Sequence, residues 1–579
     1  MNNENRNNAQ MPQNEMGQQP QQPQTAYAQQ PYTGQPYGTG VPPYAAGPMP
    51  YMNYPQPKAK PETEQTKNLK SNFRSLSIAC FVYACFYALC MYRNGSGITY
   101  PFFLAGSLWF YCYCMKKLGV SSKRGSIFYM SSILLLGIST FLTADPRIIF
   151  FNKTGVWLLT ISFLLHRFYQ VHNWTFGRYL GYMICTLFGS LGEIHRPFTD
   201  FAGYRKTRTK KSSGVGGYVI IGLCFSIPLF FIVFALLASA DMVFSKMTEG
   251  FFRDFGFGDV FGVMFTIIFM FLGAYWIMAY LCKRTFSEEA KERKRIEAIV
   301  GIVITLPVTV LYVVFSAIQI YCLFMGNVSL EGYTYAEYAR EGFFQLLAVC
   351  IINLIVVLIT HAYFKNSGVL KLIMTVMSLC TYVMIASSAY RMILYIKNYY
   401  LTFLRILVLW SLAVIAILLT GVIFSIFFKK FKLFKYSTVV VTLCYLVLSF
   451  SHPDYWIARC NVANMGSSSS NFFEADSYDD YGYLSVLSAD AAPAFAELFA
   501  EEGFDMELVA EAVPEVEESQ REYYYYSDDY LTYDEVFDGH RWEKESWGYY
   551  YLKDVFLSYE DMSFRSFNLS KYIAYQVFQ

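Results

Sequence analysis

The feature that most constrains this chain is a series of apolar runs, each about as long as a bilayer is thick. They lie near 76–92, 98–115, 126–143, 154–171, 216–240, 259–282, 298–325, 342–364, 370–394, 402–428 and 436–452, and carry almost no charge. Roughly 20 apolar residues in a helix cross a ~30 Å hydrocarbon core. In lipid, a helix satisfies its own backbone polar groups. Charged residues make up only 16% of the chain, against about 25% in soluble proteins. The expected fold class is an all-α polytopic membrane protein with about 11 transmembrane helices, a disordered N-terminal tail and an acidic soluble C-terminal domain. Pro228 and Pro307 fall inside runs, where neighbouring helices can satisfy the freed carbonyls. The lipid bilayer is the first expected partner.

Lys and Arg in the loops set the expected orientation. Lys67, Lys70 and Arg74 precede the first run, and Lys116, Lys117, Lys123 and Arg124 follow the second. Lys283, Arg284, Lys291, Arg293, Lys294 and Arg295 form a third group, and Lys429, Lys430, Lys432 and Lys435 a fourth. These loops are expected on the cytoplasmic side. The stretch 195–211 is basic as well, and would fall on the wrong side if 177–194 crossed the membrane. An interfacial or re-entrant helix at 177–194 resolves the conflict. The localisation expected is the plasma membrane, with the N-terminus inside and the C-terminus outside.

Four regions follow. Residues 1–66 are rich in Gln, Pro and Tyr and cannot bury enough apolar surface to offset their ordering entropy. A disordered cytoplasmic tail is expected, with docking of a cytoplasmic partner as the functional alternative. The first apolar run follows that polar tail and reads as an uncleaved anchor. Residues 70–214 hold the first spans, the interfacial helix and a basic loop, and 215–452 form the membrane core. Residues 453–579 carry twenty-six Asp and Glu against seven Lys and Arg. Within them 481–505 reads as helix, with Phe495, Leu498 and Phe499 on an apolar face. The aromatic, acidic stretch 521–551 fits strands or an irregular surface.

The candidate site is a set of charges at the outer ends of the runs. Glu337, Arg340 and Glu341 share one helix face by their i, i+3 and i, i+4 spacing. Asp241 ends one run, Arg391 lies near the end of another, and Arg405 lies about one turn inside the next. Arginine in an apolar helix is costly and faces partners or water. Two readings are open. One is an anion- or headgroup-recognition site. The other is structural: Thr334 and Glu337 as a capping box, and arginines snorkelling to the interface or locked in static ion pairs.

Signatures of catalysis are absent: there is no phosphate-binding glycine loop, HExxH or GxSxG. Cys112 and Cys114 lack zinc spacing, His540 and Glu543 are a weak catalytic pair, and the acidic clusters near 476–480 and 528–534 lack calcium-loop spacing and read as a solvated face, with weak surface cation binding as the alternative. Twelve of thirteen cysteines lie in apolar runs and read as small hydrophobes. Asn353 reads as a helix–helix hydrogen-bonding group, and His361 as interfacial. No cofactor, metal or nucleic-acid partner is expected.

"LLASADMVF", "GYTYAEYAREGFFQLLAVCIINL", "YRMILY", "YLTFLR", "YLSVLSADAAPAF" and "FNLSKYIAY" together resemble bacterial membrane proteins with the domains of unknown function 4173 and 4153. The resemblance covers roughly 215–579. It implies a multi-span membrane protein of Gram-positive type bacteria and no established activity. Its motifs fall at Asp241, Glu337, Arg340, Arg391 and Arg405. The expected function is a cell-envelope scaffold or sensor that couples an outer acidic domain to the membrane core. The alternative is a transporter or lipid-handling protein that uses the outer charge cluster. An envelope protein or a lipid would be the ligand.

Overall fold

The computed structural model describes residues 62–208, 257–286, 295–321, 342–465, 483–502 and 551–578, a few positions within these excepted. Most of the tail, all but five positions of the run at 216–240, and the stretch 521–550 lie outside the described residues. Helices account for nearly all of what is described. They are α1 (Glu64–Ser71), α2 (Phe73–Met91), α3 (Thr99–Lys117), α4 (Ser126–Leu142), α5 (Pro146–Phe168), α6 (Phe176–Ser190) and α7 (Arg196–Arg208). After these come α8 (Phe257–Cys282), α9 (Ala298–Gln319), α10 (Phe343–Tyr363), α11 (Gly368–Tyr399), α12 (Phe403–Phe427) and α13 (Leu433–Ser449). The last are α14 (Pro453–Met465), α15 (Ala492–Glu502) and α16 (Leu569–Phe578).

Seven helices are long and apolar enough to cross a membrane: α2, α5, α8, α9, α10, α11 and α12. The pair α13 and α14, bent by 54°, makes an eighth when counted as one span. By length and composition the described residues therefore supply seven or eight spans where the sequence suggested eleven. The difference has physical reasons. One expected run is mostly outside the described residues, α4 has only 17 residues, and α3 carries Tyr100, Tyr111, Tyr113, Lys116 and Lys117, which leave it too polar to count.

The tail's boundary shifts as well. Helix begins at Glu64, because the Thr63 side chain caps it by accepting from the Thr66 amide. The Thr66 hydroxyl then donates to the Cys282 carbonyl at 3.1 Å, which pins α1 to the end of α8.

Helices α2 to α5 pack in chain order, and α8 returns against α2. A second group packs α9, α10, α11 and α12 together, and α13 bridges the two by touching both α4 and α12. The bridge is polar at its centre. Ser139 and Ser449 hydroxyls lie 2.6 Å apart, and Asn152 Oδ1 accepts from Tyr445 and Ser449, each at 2.7 Å. Every partner is satisfied within the bundle, as lipid requires.

The two ends of the bundle differ. At the basic end, Glu193 pairs with Lys283 and, at 2.9 Å, with Arg196. Burial pushes the Glu193 carboxyl up, but its bonds and charges from Lys283 and Arg196 outweigh that and hold it below the usual carboxylate range. Helix α6 lies at this end. Tyr179 near its start packs on Phe434 with the rings tilted and their centroids 4.1 Å apart, and Tyr280 donates to the Cys185 carbonyl at 3.0 Å. At the opposite end the chain's last described segments close over the bundle, so it is called the capped end below.

Candidate functional site

Residues 483–502 and 551–578 pack onto the bundle and belong to one compact unit with it. Their apolar contacts form a small core under the cap. Phe495, Leu484, Leu552, Ala491 and Ala574 are fully buried there against Ile148, Phe403 and Ile457 of the bundle. Phe495 and Tyr551 meet edge to face at 4.7 Å, an arrangement favoured by the ring quadrupoles. Phe495 thus takes the buried position its helical spacing suggested. The side chains of Leu498 and Phe499 lie outside the described residues.

Three buried carboxylates sit around that core. Asp145 caps α5, accepting from the Arg147 amide at 2.8 Å, with Pro146 at the first helical position. The Arg147 guanidinium folds back on Asp145 at 2.9 Å and bridges to Asp454 in the first turn of α14. It also lies over the Phe403 ring, 4.2 Å from the centroid. Asp454 in turn accepts the Ser488 amide at 3.0 Å. Asp145 and Asp454 are both fully buried, so Arg147 is the counter-charge that makes their burial affordable.

Asp490 is the second centre. One carboxylate oxygen accepts the Ala144 amide at 2.8 Å and the Ser570 hydroxyl, and the other accepts the Thr143 hydroxyl. His452 Nδ1 lies 3.1 Å from it. Burial alone would raise the Asp490 carboxyl, but these donors outweigh it and hold it below the usual carboxylate range. The bond from Asp490 holds His452 above the usual imidazole value, against burial. His452 has φ 47° and makes the bend between α13 and α14. The left-handed residue turns the chain so that ring and carboxylate meet.

Further bonds tie the cap down. Asn568 donates to the Thr143 carbonyl at 2.9 Å, the Ile98 amide to the Phe567 carbonyl at 2.8 Å, and Asn94 to the Arg565 carbonyl at 2.9 Å. Tyr483 accepts the Phe403 amide at 3.0 Å, and Asn461 accepts the Leu401 amide at 2.8 Å. Four inter-helix turns are thereby bonded to one another or to the chain's last segments.

Of the charges singled out in the sequence, Asp241, Glu337, Arg340 and Glu341 lie outside the described residues. Arg391 is buried in α11, where its Nη2 donates to Gln319 of α9 at 3.2 Å. Ser387 donates to the same oxygen at 2.7 Å. Gly342, which follows the charged trio in the chain, has φ 92°, and a Cβ there would lie 3.2 Å from Arg391 Nη1. Arg405 does something different. It donates to the carbonyls of Tyr399 and Tyr400 and lies 4.2 Å from the Tyr395 ring centroid. Those are the carbonyls a helix leaves unpaired at its end, so Arg405 caps α11 from the first turn of α12. Asn353, fully buried, donates to the Thr381 hydroxyl of α11 at 3.2 Å, a helix–helix bond of the expected kind.

The residues at the centre of the cap are ones the sequence reading passed over. A signal was present: Asp145-Pro146 opens an apolar run, Asp454 follows a Pro at the close of another, and Asp490 sits in the quoted motif "YLSVLSADAAPAF". Each is a lone carboxylate at an apolar boundary.

A bundle of long apolar helices, joined by buried polar contacts and lacking strands among its described residues, defines a multi-pass integral membrane protein. The chain belongs to the family of the domain of unknown function DUF4153, whose model matches residues 130–498. The match starts well upstream of the 215 suggested by the motifs. It takes in Asp145, Arg147, His452, Asp454 and Asp490. No curated protein and no solved structure matches the chain.

Proposed function

We propose that this is a cell-envelope scaffold or sensor of the plasma membrane, with the capped end outside and the basic end in the cytoplasm. The distribution of Lys and Arg supports the orientation. The observation that carries the reading is the anchoring of both flanks of one acidic segment. Residues 503–550 hold fourteen Asp and Glu against three Lys and Arg. The residues before them are held through Asp490 and Ser488, and those after them through Ser570, Asn568 and Tyr551, which donates to the Ser488 carbonyl at 3.0 Å. A load or ligand on the acidic segment is thereby felt at Thr143, Ala144 and Asp454, at the ends of three membrane helices. In this reading α6 lies in the cytoplasmic interface.

The orientation is tested at Cys460, which is exposed on α14. A membrane-impermeant thiol reagent should label it in intact cells, and labelling only after the cells are opened would reverse the reading. Coupling is tested with a site-specific protease sequence inserted within 503–550. After cleavage in intact cells, the fragment that begins near 551 should stay on the membrane. Its prompt release from the otherwise unchanged protein would mean that the cap is not a latch.

A further inference from the structure

At the basic end, between the start of α4, the end of α5 and the start of α6, several buried polar groups lack a protein partner. Ser126 Oγ, Arg167 Nε, Trp174 Nε1 and His166 Nε2 are all buried atoms outside hydrogen-bond geometry with any protein group. Ser126, Arg167, Trp174 and Tyr179 are each more than nine-tenths buried. They are neighbours. The His166 ring lies 5.5 Å from that of Tyr129, one turn along α4 from Ser126. His166 Nε2 would lie 2.9 Å from a Cβ placed on Gly125, beside Ser126. The Tyr179 hydroxyl is met by Tyr129 and Ser162, and its ring lies 6.0 Å from that of Trp174. Arg167 reaches the Ser122 hydroxyl at 3.5 Å on the loop before α4.

The chemistry of these groups is one-sided. Indole N–H and guanidinium N–H only donate, and an unmet buried donor costs its full desolvation. The charges nearby are also of one sign. Lys123 lies on the last carbonyls of α5, donating to His166 at 2.8 Å and Tyr169 at 2.7 Å. Arg167 and Lys435 both bear electrostatically on His166. The stretches 116–144, 146–192 and 428–453, which hold these groups, contain no Asp or Glu, and Glu193 at the same end is already paired with Lys283 and Arg196. Two donor-only groups, Arg167 Nε and Trp174 Nε1, beside a hydroxyl that can also donate and among cations, fit an acceptor-rich anion.

We infer that this cluster of buried donors binds a phosphate group, with Ser126, Arg167 and Trp174 as donors and Lys123 and Lys435 supplying charge. The group belongs either to a lipid headgroup or to a small soluble phosphate. The site is independent of the cap and of the function proposed from it.

The test uses the full chain purified in mild detergent, with two probes: inorganic phosphate and short-chain phosphatidylglycerol. Short-chain phosphatidylcholine reports the effect of added net charge, since it has the phosphate without the net negative charge. Binding should saturate at one equivalent. Trp174→Phe, which keeps an aromatic ring and removes the N–H, should weaken it about tenfold, as should Arg167→Gln, the expectation for a lost bond to a charged group. Lys116→Gln, at an exposed cation on the same end, should leave it unchanged. Binding of phosphatidylglycerol alone assigns a headgroup, and binding of inorganic phosphate assigns a soluble ligand. The inference fails if neither probe saturates, because the donors are then met by water. It fails equally if Lys116→Gln weakens binding as much as Trp174→Phe does while Trp174→Phe remains folded by circular dichroism.

Discussion

The carboxylate of Asp490 accepts the backbone N–H of Ala144 at 2.8 Å, across 346 positions of chain. An amide can only donate, so the bond needs an acceptor at that oxygen. In Asp490→Asn the new NH2 group can turn toward the Ser570 or Thr143 hydroxyl, which can accept it. The charge is lost, however, and the bonds from His452 and the two hydroxyls weaken to neutral strength. A buried charge-assisted bond contributes about 1.5–3 kcal/mol. Asp490→Asn should therefore lower stability by about 2–3 kcal/mol. It should also release the C-terminal fragment in the protease assay, where the unchanged protein retains it. Asp490→Asn with an unchanged melting temperature and a retained fragment would remove Asp490 from the centre of the cap.

The membrane helices were legible in the sequence because lipid leaves few alternatives to a long apolar helix. The cap was not. Asp145, Arg147 and Asp454 come from positions some 300 residues apart, and nothing local to Asp454 announces an arginine in the first turn of α5. Acidic composition pointed to a separate soluble domain. Of the apolar residues that dock it, Phe495 stood on a helical face in the sequence, but Leu484, Leu552 and Phe578 carry no pattern that shows where they dock. Arg405 was visible as an arginine in an apolar run, but the carbonyls it caps became apparent only with the turn at Tyr400.

Arg147 should be the most sensitive of the cap residues. Arg147→Met keeps much of the stem that packs toward Phe403 but leaves Asp145 and Asp454 buried without a counter-charge. Breaking a buried pair in this way costs about 3–5 kcal/mol. Adding Asp454→Asn to Arg147→Met should recover part of the loss, since Asn still offers an oxygen to the Ser488 amide. Chemical denaturation of the two variants in the same detergent checks the sign. Equal stability of the single and double variants would show that Arg147 and Asp454 are not coupled.

The stability of the cap should depend on pH in a defined direction. His452 is raised above 6.5 by Asp490. Its contribution is therefore complete below that value and fades as pH rises through the higher folded value. Asp490 is held below 3.8, so its contribution is complete above that value and fades as pH falls through the lowered one. Asp145, Arg147 and Asp454 are the other charges around the same small core. Burial raises the Asp454 carboxyl above 3.8, which opposes Asp490 on the acid side, so the defined direction is the other one: the cap should loosen toward alkaline pH as His452 loses its proton. Hydrogen exchange of 484–495 and 569–578 should speed up on that side beyond its intrinsic pH dependence. His452→Gln should abolish the alkaline loosening, and loosening that persists in His452→Gln would assign it to another group.

Arg405 separates a structural arginine from a ligand-binding one. In Arg405→Gln the Tyr399 and Tyr400 carbonyls lose their charged donor, at a cost of about 1–3 kcal/mol. Arg405→Lys should recover only part of this. An ammonium can reach one carbonyl, but it lacks the flat face that lies over Tyr395 and the fork that meets two acceptors. If the role is capping, the loss should be the same with and without added anion. If Arg405 instead holds an anion, phosphate should raise the melting temperature of the unchanged protein and not that of Arg405→Gln. The position of Arg405 over the two carbonyls predicts the first result, because a guanidinium already committed to the end of α11 has little left to offer a ligand.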